Sequence, residues 1–167
     1  MSKPFDVIII GAGAAGMMCA IEAGKRGRKV LILDHAKKLC EKIRISGGGR
    51  CNFTNIHTSP DNFLSQNKHF CKYALKEYTP HDFIVLVEKH NIAYHEKKLG
   101  QLFCDDSAQN IIDMLMRECA EAGVTVSKET TIDSVSHEDE HYKVKTNKGV
   151  FSSVSLVIAT GGLSIPK

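Results

Sequence analysis

The chain has 167 residues, 43% of them hydrophobic and 25% charged, an ordinary globular composition with enough length for one domain and a real core. Its net charge is only +3 and its lysines are spread among acidic neighbours, so neither nucleic acid nor a membrane surface is expected as a partner. Six cysteines, at positions 19, 40, 51, 71, 104 and 119, include no C-x-x-C pair, which removes support for a zinc site or a thioredoxin-like dithiol and reads as a reduced, cytoplasmic protein.

Residues 6–10 (DVIII) form a short β-branched run, the pattern of a strand buried on both faces. Gly11 to Gly16 follow, then a helical segment to about Arg26 that Gly27 ends. The uncharged stretch 7–21 superficially resembles a signal-peptide core, but Asp6 makes a poor positive flank. It is also too short to span a membrane, which takes roughly 20 residues. Residues 29–33 (KVLIL) make a second buried strand, closing with Asp34. Strand, glycine turn, helix and strand within about 30 residues form a βαβ unit.

A helix is predicted over 81–90, with Phe83, Ile84, Leu86 and Val87 on one side, after which 92–104 holds a short hairpin. The next helix opens at Asp105, Asp106 and Ser107, carries Ile111, Ile112, Leu115, Met116 and Cys119 at helical spacing, and stops at Gly123. A third buried strand is expected at 124–126. Three short strands follow as a meander at 131–136, 142–146 and 150–154, with Asn147-Lys148-Gly149 as a hairpin turn. A separate buried strand at 155–160 then runs into Gly161-Gly162.

The segment GAGAAG at 11–16 fits G-x-G-x-x-G, and its context strengthens it: a strand precedes it, a helix follows, and an acidic residue ends the next strand. Gly11 permits the tight turn, Gly13 lets a pyrophosphate approach the backbone, and Gly16 lets the helix pack closely on the sheet. Gly16, Ala20 and Gly24, spaced by four, keep one helix face small so that it can lie near the strands. The helix N-terminus offers free N–H groups to phosphates. Asp34, 18 residues beyond Gly16, is placed to accept hydrogen bonds from ribose hydroxyls and disfavours a 2′-phosphate, so NADP is not expected in this site.

A second stretch, ISGGGRCNFTN, and a third, VIATGGLSIPK, stand beside GAGAAG. Together the three resemble the BaiN-like family of bacterial NAD(P)/FAD-dependent flavoproteins, and they span nearly the whole chain. The resemblance implies an α/β fold: a Rossmann-like FAD-binding domain of glutathione-reductase type, a parallel sheet with helices and an inserted β-meander, over residues 1–167. It implies FAD as cofactor, NAD(P)H as a possible reductant and an unknown small-molecule substrate. It also implies that the chain is the N-terminal portion of a longer protein, with a substrate-side domain that is either the missing C-terminal portion or a partner chain. The cofactor-binding residues implied are Gly11, Gly13, Ala14, Ala15, Gly16, Asp34, His35, Ser46, Gly47, Gly48, Gly49, Arg50, Cys51, Asn52, Ile132, Ala159, Thr160 and Gly161.

Within that set, Gly47, Gly48 and Gly49 let backbone amides reach the cofactor, and Asn52 can donate or accept at its polar edge. Arg50 either offsets phosphate charge or is a solvated side chain. Cys51 lacks a second cysteine five positions on, where Ile56 stands, so it reads as a packing residue rather than half of a redox dithiol. His137 and His141 are at H-x-x-x-H spacing but in a predicted hairpin, which favours a solvated loop over a metal site. No catalytic residue is assigned. The rival readings are an NAD-binding Rossmann module using only the first motif, and a non-catalytic nucleotide-binding fragment.

Overall fold

A computed structural model describes residues 4–162. The end of the third motif, residues 163–167, lies outside the described residues. In chain order the elements are β1 (Phe5–Ile10), α1 (Ala14–Lys25), β2 (Val30–Leu33), α2 (Glu41–Ile45), β3 (Asn52–Asn55), α3 (Lys72–Glu77), α4 (Pro80–Lys89), β4 (Tyr94–Glu96), β5 (Gln101–Cys104), α5 (Ala108–Glu121), β6 (Thr125–Ser127), β7 (Ile132–Glu138), β8 (His141–Thr146) and β9 (Gly149–Ile158). They divide into two compact units, one of residues 1–42 with 115–167, the other of residues 43–114.

The first unit is a six-stranded sheet in the order β6-β2-β1-β9-β8-β7. β6, β2, β1 and β9 are parallel, as a βαβ chain dictates, and β8 and β7 extend the sheet antiparallel. All four residues of β2 are buried, matching the continuous apolar run that the sequence shows. Ile8, Leu31, Leu33 and Val144 form a buried cluster, with Phe5, Ile10, Ile132, Phe151 and Leu156 packed against it. Helix α1 buries Gly16, Met17, Ala20 and Ile21, and ends where Gly27 takes φ +74°.

Three expectations are corrected. The predicted strands at 150–154 and 155–160 are one ten-residue strand, β9. Serines 152, 153 and 155 do not break an extended backbone as glycine or proline would. Ser153 is fully buried, opposite both Phe5 and Tyr142, and its hydroxyl donates to the Ser155 carbonyl at 2.8 Å. The inserted meander β7–β9 joins the main sheet, because β9 pairs with β8 through its first half and with β1 through its second. Residues 124–126 do not form a buried strand either, because β6 is the sheet's edge, paired only with β2, and Thr125 is exposed. Finally, Gly24 faces the chain just past α5 rather than a strand: a Cβ there would sit 2.5 Å from the Ala122 carbonyl oxygen.

The second unit holds an antiparallel sheet in the order β3-β5-β4 with α3 and α4. β4 and β5 are the predicted hairpin. The α4 start is fixed by a capping box, in which Asp82 N donates to Thr79 Oγ1 at 3.3 Å and Thr79 N to Asp82 Oδ2 at 2.7 Å. Phe53 anchors this unit, edge-on to Tyr94 at 5.5 Å and tilted against Phe83 at 6.0 Å.

Candidate functional site

In the first unit, the chain leaves β1 at Gly11, whose φ of +109° is open to glycine and costly for other residues. Gly11 N donates to the Leu33 carbonyl at 2.8 Å, tying the turn to the end of β2. A Cβ at Gly11 would overlap the Ala159 carbonyl, and one at Gly16 would overlap the Gly11 carbonyl. Both glycines are thus fixed by backbone passing too close for any side chain. Gly13 is different: its backbone is extended (φ −87°, ψ −172°), and a Cβ there would meet nothing within 4 Å. The space beside it is open.

Gly13 is also the N-cap of α1. No side chain caps this end and no acidic residue lies in the first turn. The first-turn N–H groups of a helix have no partner within the helix, and the helix dipole adds partial positive charge there. Ala14 and Ala15 are exposed and present only methyl groups beside those donors. The arrangement fits the pyrophosphate of a dinucleotide.

Asp34 is held in place by two backbone donors, Ala12 N to Oδ2 at 2.7 Å and Ala36 N to Oδ1 at 2.8 Å. Each oxygen keeps a second lone pair for a ligand hydroxyl. His35 is 85% exposed, with Nδ1 3.7 Å from Asp34 Oδ1. Ala159 N donates to the Ile10 carbonyl at 2.8 Å, so the end of β9 lies beside the glycine turn, with Thr160 and Gly161 exposed after it. Lys42, which sequence reasoning missed, closes onto that end by donating to the Gly162 carbonyl at 2.6 Å. Ile132, by contrast, is a packing residue of the sheet cluster.

Sequence reasoning also missed Glu118, fully buried on the inner face of α5 and paired with Lys25 Nζ at 2.9 Å. A charge among apolar helix positions gives no signal of its partner far away in the chain.

In the second unit, Ser46–Gly49 is a tight 3-10 turn directly after α2, with φ values of +58°, +66° and +87° at Gly47, Gly48 and Gly49. All three glycines answer a left-handed backbone. Gly47 has a further reason: a Cβ there would come within 2.7 Å of the Phe103 ring and 2.8 Å of Asn52 N. At Gly48 and Gly49 a Cβ would meet nothing within 4 Å, so open space adjoins them. Ser46 Oγ donates to the Ile43 carbonyl at 2.9 Å, and Cys51 N to the Ser46 carbonyl at 3.1 Å. Arg50 and Asn52 are exposed.

Cys51 is buried, as a packing residue should be, in a left-handed conformation at φ +53°. Its thiol nonetheless has a neighbouring thiol. Asn52 pairs with Phe103, and Cys104 N donates to the Arg50 carbonyl at 3.0 Å, which brings Cys51 and Cys104 opposite each other at the start of β3 and the end of β5. Looking for a second cysteine five positions after Cys51 could not find this neighbour, which strand register brings from the end of β5. Burial pushes the Cys51 thiol up, against a hydrogen bond with Ser46 that pulls it down. Burial, then the nearby Cys51, pushes Cys104 up to about 11; burial, then Glu118, does the same to Cys119.

These thiols are therefore held protonated. A thiol raised by two units carries about 100-fold less thiolate at a given pH. Iodoacetamide at pH 8 is expected to modify Cys51, Cys104 and Cys119 only after urea unfolding, as followed by mass spectrometry. Rapid labelling of Cys51 in the folded chain would contradict the burial account. The sign for stability follows: a thiol pKa raised in the fold leaves its contribution intact below the unfolded value of 9.0 and removes it as pH climbs toward about 11.

His137 and His141 sit in the β7–β8 hairpin, where the His137 ring is tilted against Tyr142 with centroids 4.6 Å apart and His141 Nδ1 lies 2.8 Å from the Asp139 carbonyl. Among the described residues, no cluster of three or more histidine, cysteine or acidic side chains could hold a metal.

The profile of the HI0933-like protein Rossmann domain matches residues 5–167. The chain belongs to the HI0933-like family. FAD is the cofactor of this family's Rossmann fold, and the fit of α1 and Asp34 to a dinucleotide agrees with it. The chain is 56% identical over 162 residues to the ribosomal RNA dihydrouridine synthase of Escherichia coli strain K12, covering 97% of this chain and 40% of that protein. It is 46% identical over 170 residues to the ribosomal RNA dihydrouridine synthase of Haemophilus influenzae, covering 99% of this chain and 42% of that protein. This HI0933-like chain thus spans about two fifths of the length of the curated relatives it matches. Among solved structures, halogenase PltM in complex with phloroglucinol and FAD superposes with a TM-score of 0.56 at 22% identity, over 97% of this chain and 35% of that one.

The resemblance to BaiN-like flavoproteins therefore holds at the level of the HI0933-like FAD-binding family, while these two high-identity relatives carry a different name. Those relatives are named for action on ribosomal RNA, whereas the net charge of this chain suggested no nucleic acid partner. A net charge of +3 averages over the chain and hides local basic segments. No helix among the described residues is long and apolar enough to cross a membrane.

Proposed function

We propose that this chain is the FAD-binding portion of a cytoplasmic flavin-dependent oxidoreductase that reduces uridine in ribosomal RNA, with NAD(P)H as electron source. The observation that carries the cofactor half of this reading is the uncapped N-terminus of α1 beside the open space at Gly13, with Asp34 held by backbone donors at the end of β2. The RNA half rests on relatives named for ribosomal RNA dihydrouridine synthesis at 56% and 46% identity.

In this reading the N–H groups of Ala14, Ala15 and Gly16 bind the pyrophosphate and Asp34 accepts from ribose hydroxyls. The end of β9, Ala159 to Gly161, flanks the dinucleotide. His35 borders the ribose. For Ser46 to Asn52, in the second unit, a cofactor-binding role rests on the family resemblance alone. Bound FAD supplies the hydride chemistry. Saturating a uracil's 5,6 double bond takes one hydride and one proton, and no residue is assigned here as the proton donor.

The test incubates the full-length protein with FAD, NAD(P)H and ribosomal RNA transcribed without modification. The expected result is a mass gain of two hydrogens on discrete uridines, dependent on all three components. NAD(P)H oxidation with RNA left unchanged would retain the flavoprotein reading and overturn the substrate.

A further inference from the structure

One segment of the second unit is exposed almost without interruption. From Phe63 to Tyr78 it reads FLSQNKHFCKYALKEY, in which only Cys71 and Leu75 are half-buried. Leu64 is 99% exposed, Phe70 78% and Tyr73 74%, an unusual cost for side chains of this size. The backbone is nevertheless organised. Asn67 Oδ1 accepts from His69 N at 3.0 Å, the Asn67 carbonyl accepts from Phe70 N at 3.1 Å, and the His69 carbonyl from Lys72 N at 3.2 Å, which leads the chain into α3. Phe53, Phe83 and Tyr94 engage one another elsewhere in this unit, whereas Phe70 and Tyr73 make no ring contact among the described residues.

The rings are interleaved with cations. Lys68, Lys72 and Lys76 stand against a single acidic residue, Glu77, and all three are exposed. Lys72 and Lys76 are one helical turn apart on α3, with Tyr73 beside Lys72. Protein interfaces are depleted in lysine. Exposed rings alternating with lysines suit single-stranded nucleic acid instead, where bases stack on the rings and phosphates meet the ammonium groups. An enzyme that acts on a base also needs that base out of its stack, so its target strand is locally unpaired.

We propose that residues 63–78 form a docking surface for single-stranded RNA, with Phe70 and Tyr73 stacking on bases and Lys68, Lys72 and Lys76 contacting phosphates. This rests on the reading of the protein as acting on ribosomal RNA.

The test measures anisotropy of a fluorescein-labelled single-stranded RNA of about 12 nucleotides, within the span that one such platform covers, against the FAD-loaded chain across a salt series. Phe70→Ala/Tyr73→Ala is expected to weaken binding about tenfold or more for each stacked base lost. Lys68→Gln/Lys72→Gln/Lys76→Gln is expected to lower the slope of log affinity against log salt by about 2, from roughly 0.7 per phosphate contact. Melting temperature and flavin retention, measured alongside, are expected to stay at wild-type values because these side chains are exposed.

Wild-type RNA binding that both variants preserve, in affinity and in salt slope, would overturn this surface and leave the RNA reading standing. A flavin-loaded wild type that binds no RNA would overturn both. Sedimentation showing wild-type self-association that Phe70→Ala/Tyr73→Ala abolishes would assign the patch to protein and overturn the proposal.

Discussion

Gly13→Asp is expected to leave the fold intact, or more stable by roughly a few tenths of a kcal/mol, while abolishing FAD retention. The two effects part company because of where Gly13 sits. Its backbone is extended and a Cβ there meets nothing, so aspartate enters without strain and becomes a good N-cap for α1. The same carboxylate occupies the N–H groups that the pyrophosphate needs and adds a like charge beside it. Two like charges about 4 Å apart near a protein surface repel by about 4 kcal/mol, and even half of that weakens binding by more than about tenfold. Urea titration and a flavin spectrum on one preparation check both halves. Retained flavin in a stable Gly13→Asp chain would mean that the α1 N-terminus is not the phosphate site.

Gly16→Ala is expected to do the opposite, destabilising the chain by about 3 kcal/mol or more and losing FAD as a consequence. The methyl group would overlap the Gly11 carbonyl and come 3.4 Å from the Ala159 side chain. Neither Gly11 nor Ala159 can yield freely, because Gly11 N is bonded to Leu33 and Ala159 N to Ile10. The strain would therefore spread into β1, β2 and β9. For a chain of this length the melting temperature should fall by about 10 °C. Gly13→Ala is the matched control and should melt within a degree or two of wild type. Equal melting of the two variants would show that α1 packs less closely on its turn than the structure has it.

The contrast between these two glycines shows what the sequence could and could not tell. The turn GAGAAG and the acidic end of β2 are local patterns, and strand, helix and Asp34 appear where the spacing puts them. Gly16 is held by the Gly11 carbonyl within the motif, but Gly11 itself is held by Ala159, which arrives at the site from the far end of the chain. The same holds at Gly47, whose need for glycine comes partly from the Phe103 ring. The sequence pattern divides 150–160 into two strands around serines 152, 153 and 155. All three lie within one continuous strand, in which Ser153 is buried and pairs with both β1 and β8. Cys51 and Cys104 are paired by sheet register, and Glu118 with Lys25 by helix packing. Neither pairing leaves a mark in local spacing.

The most direct measurement is a visible absorbance spectrum of the purified chain after incubation with excess FAD and removal of unbound cofactor by gel filtration. The account predicts a retained flavin band close to stoichiometric with protein, lost in Gly13→Asp. A chain that is folded by circular dichroism yet emerges colourless would contradict the central claim that these residues carry an FAD site.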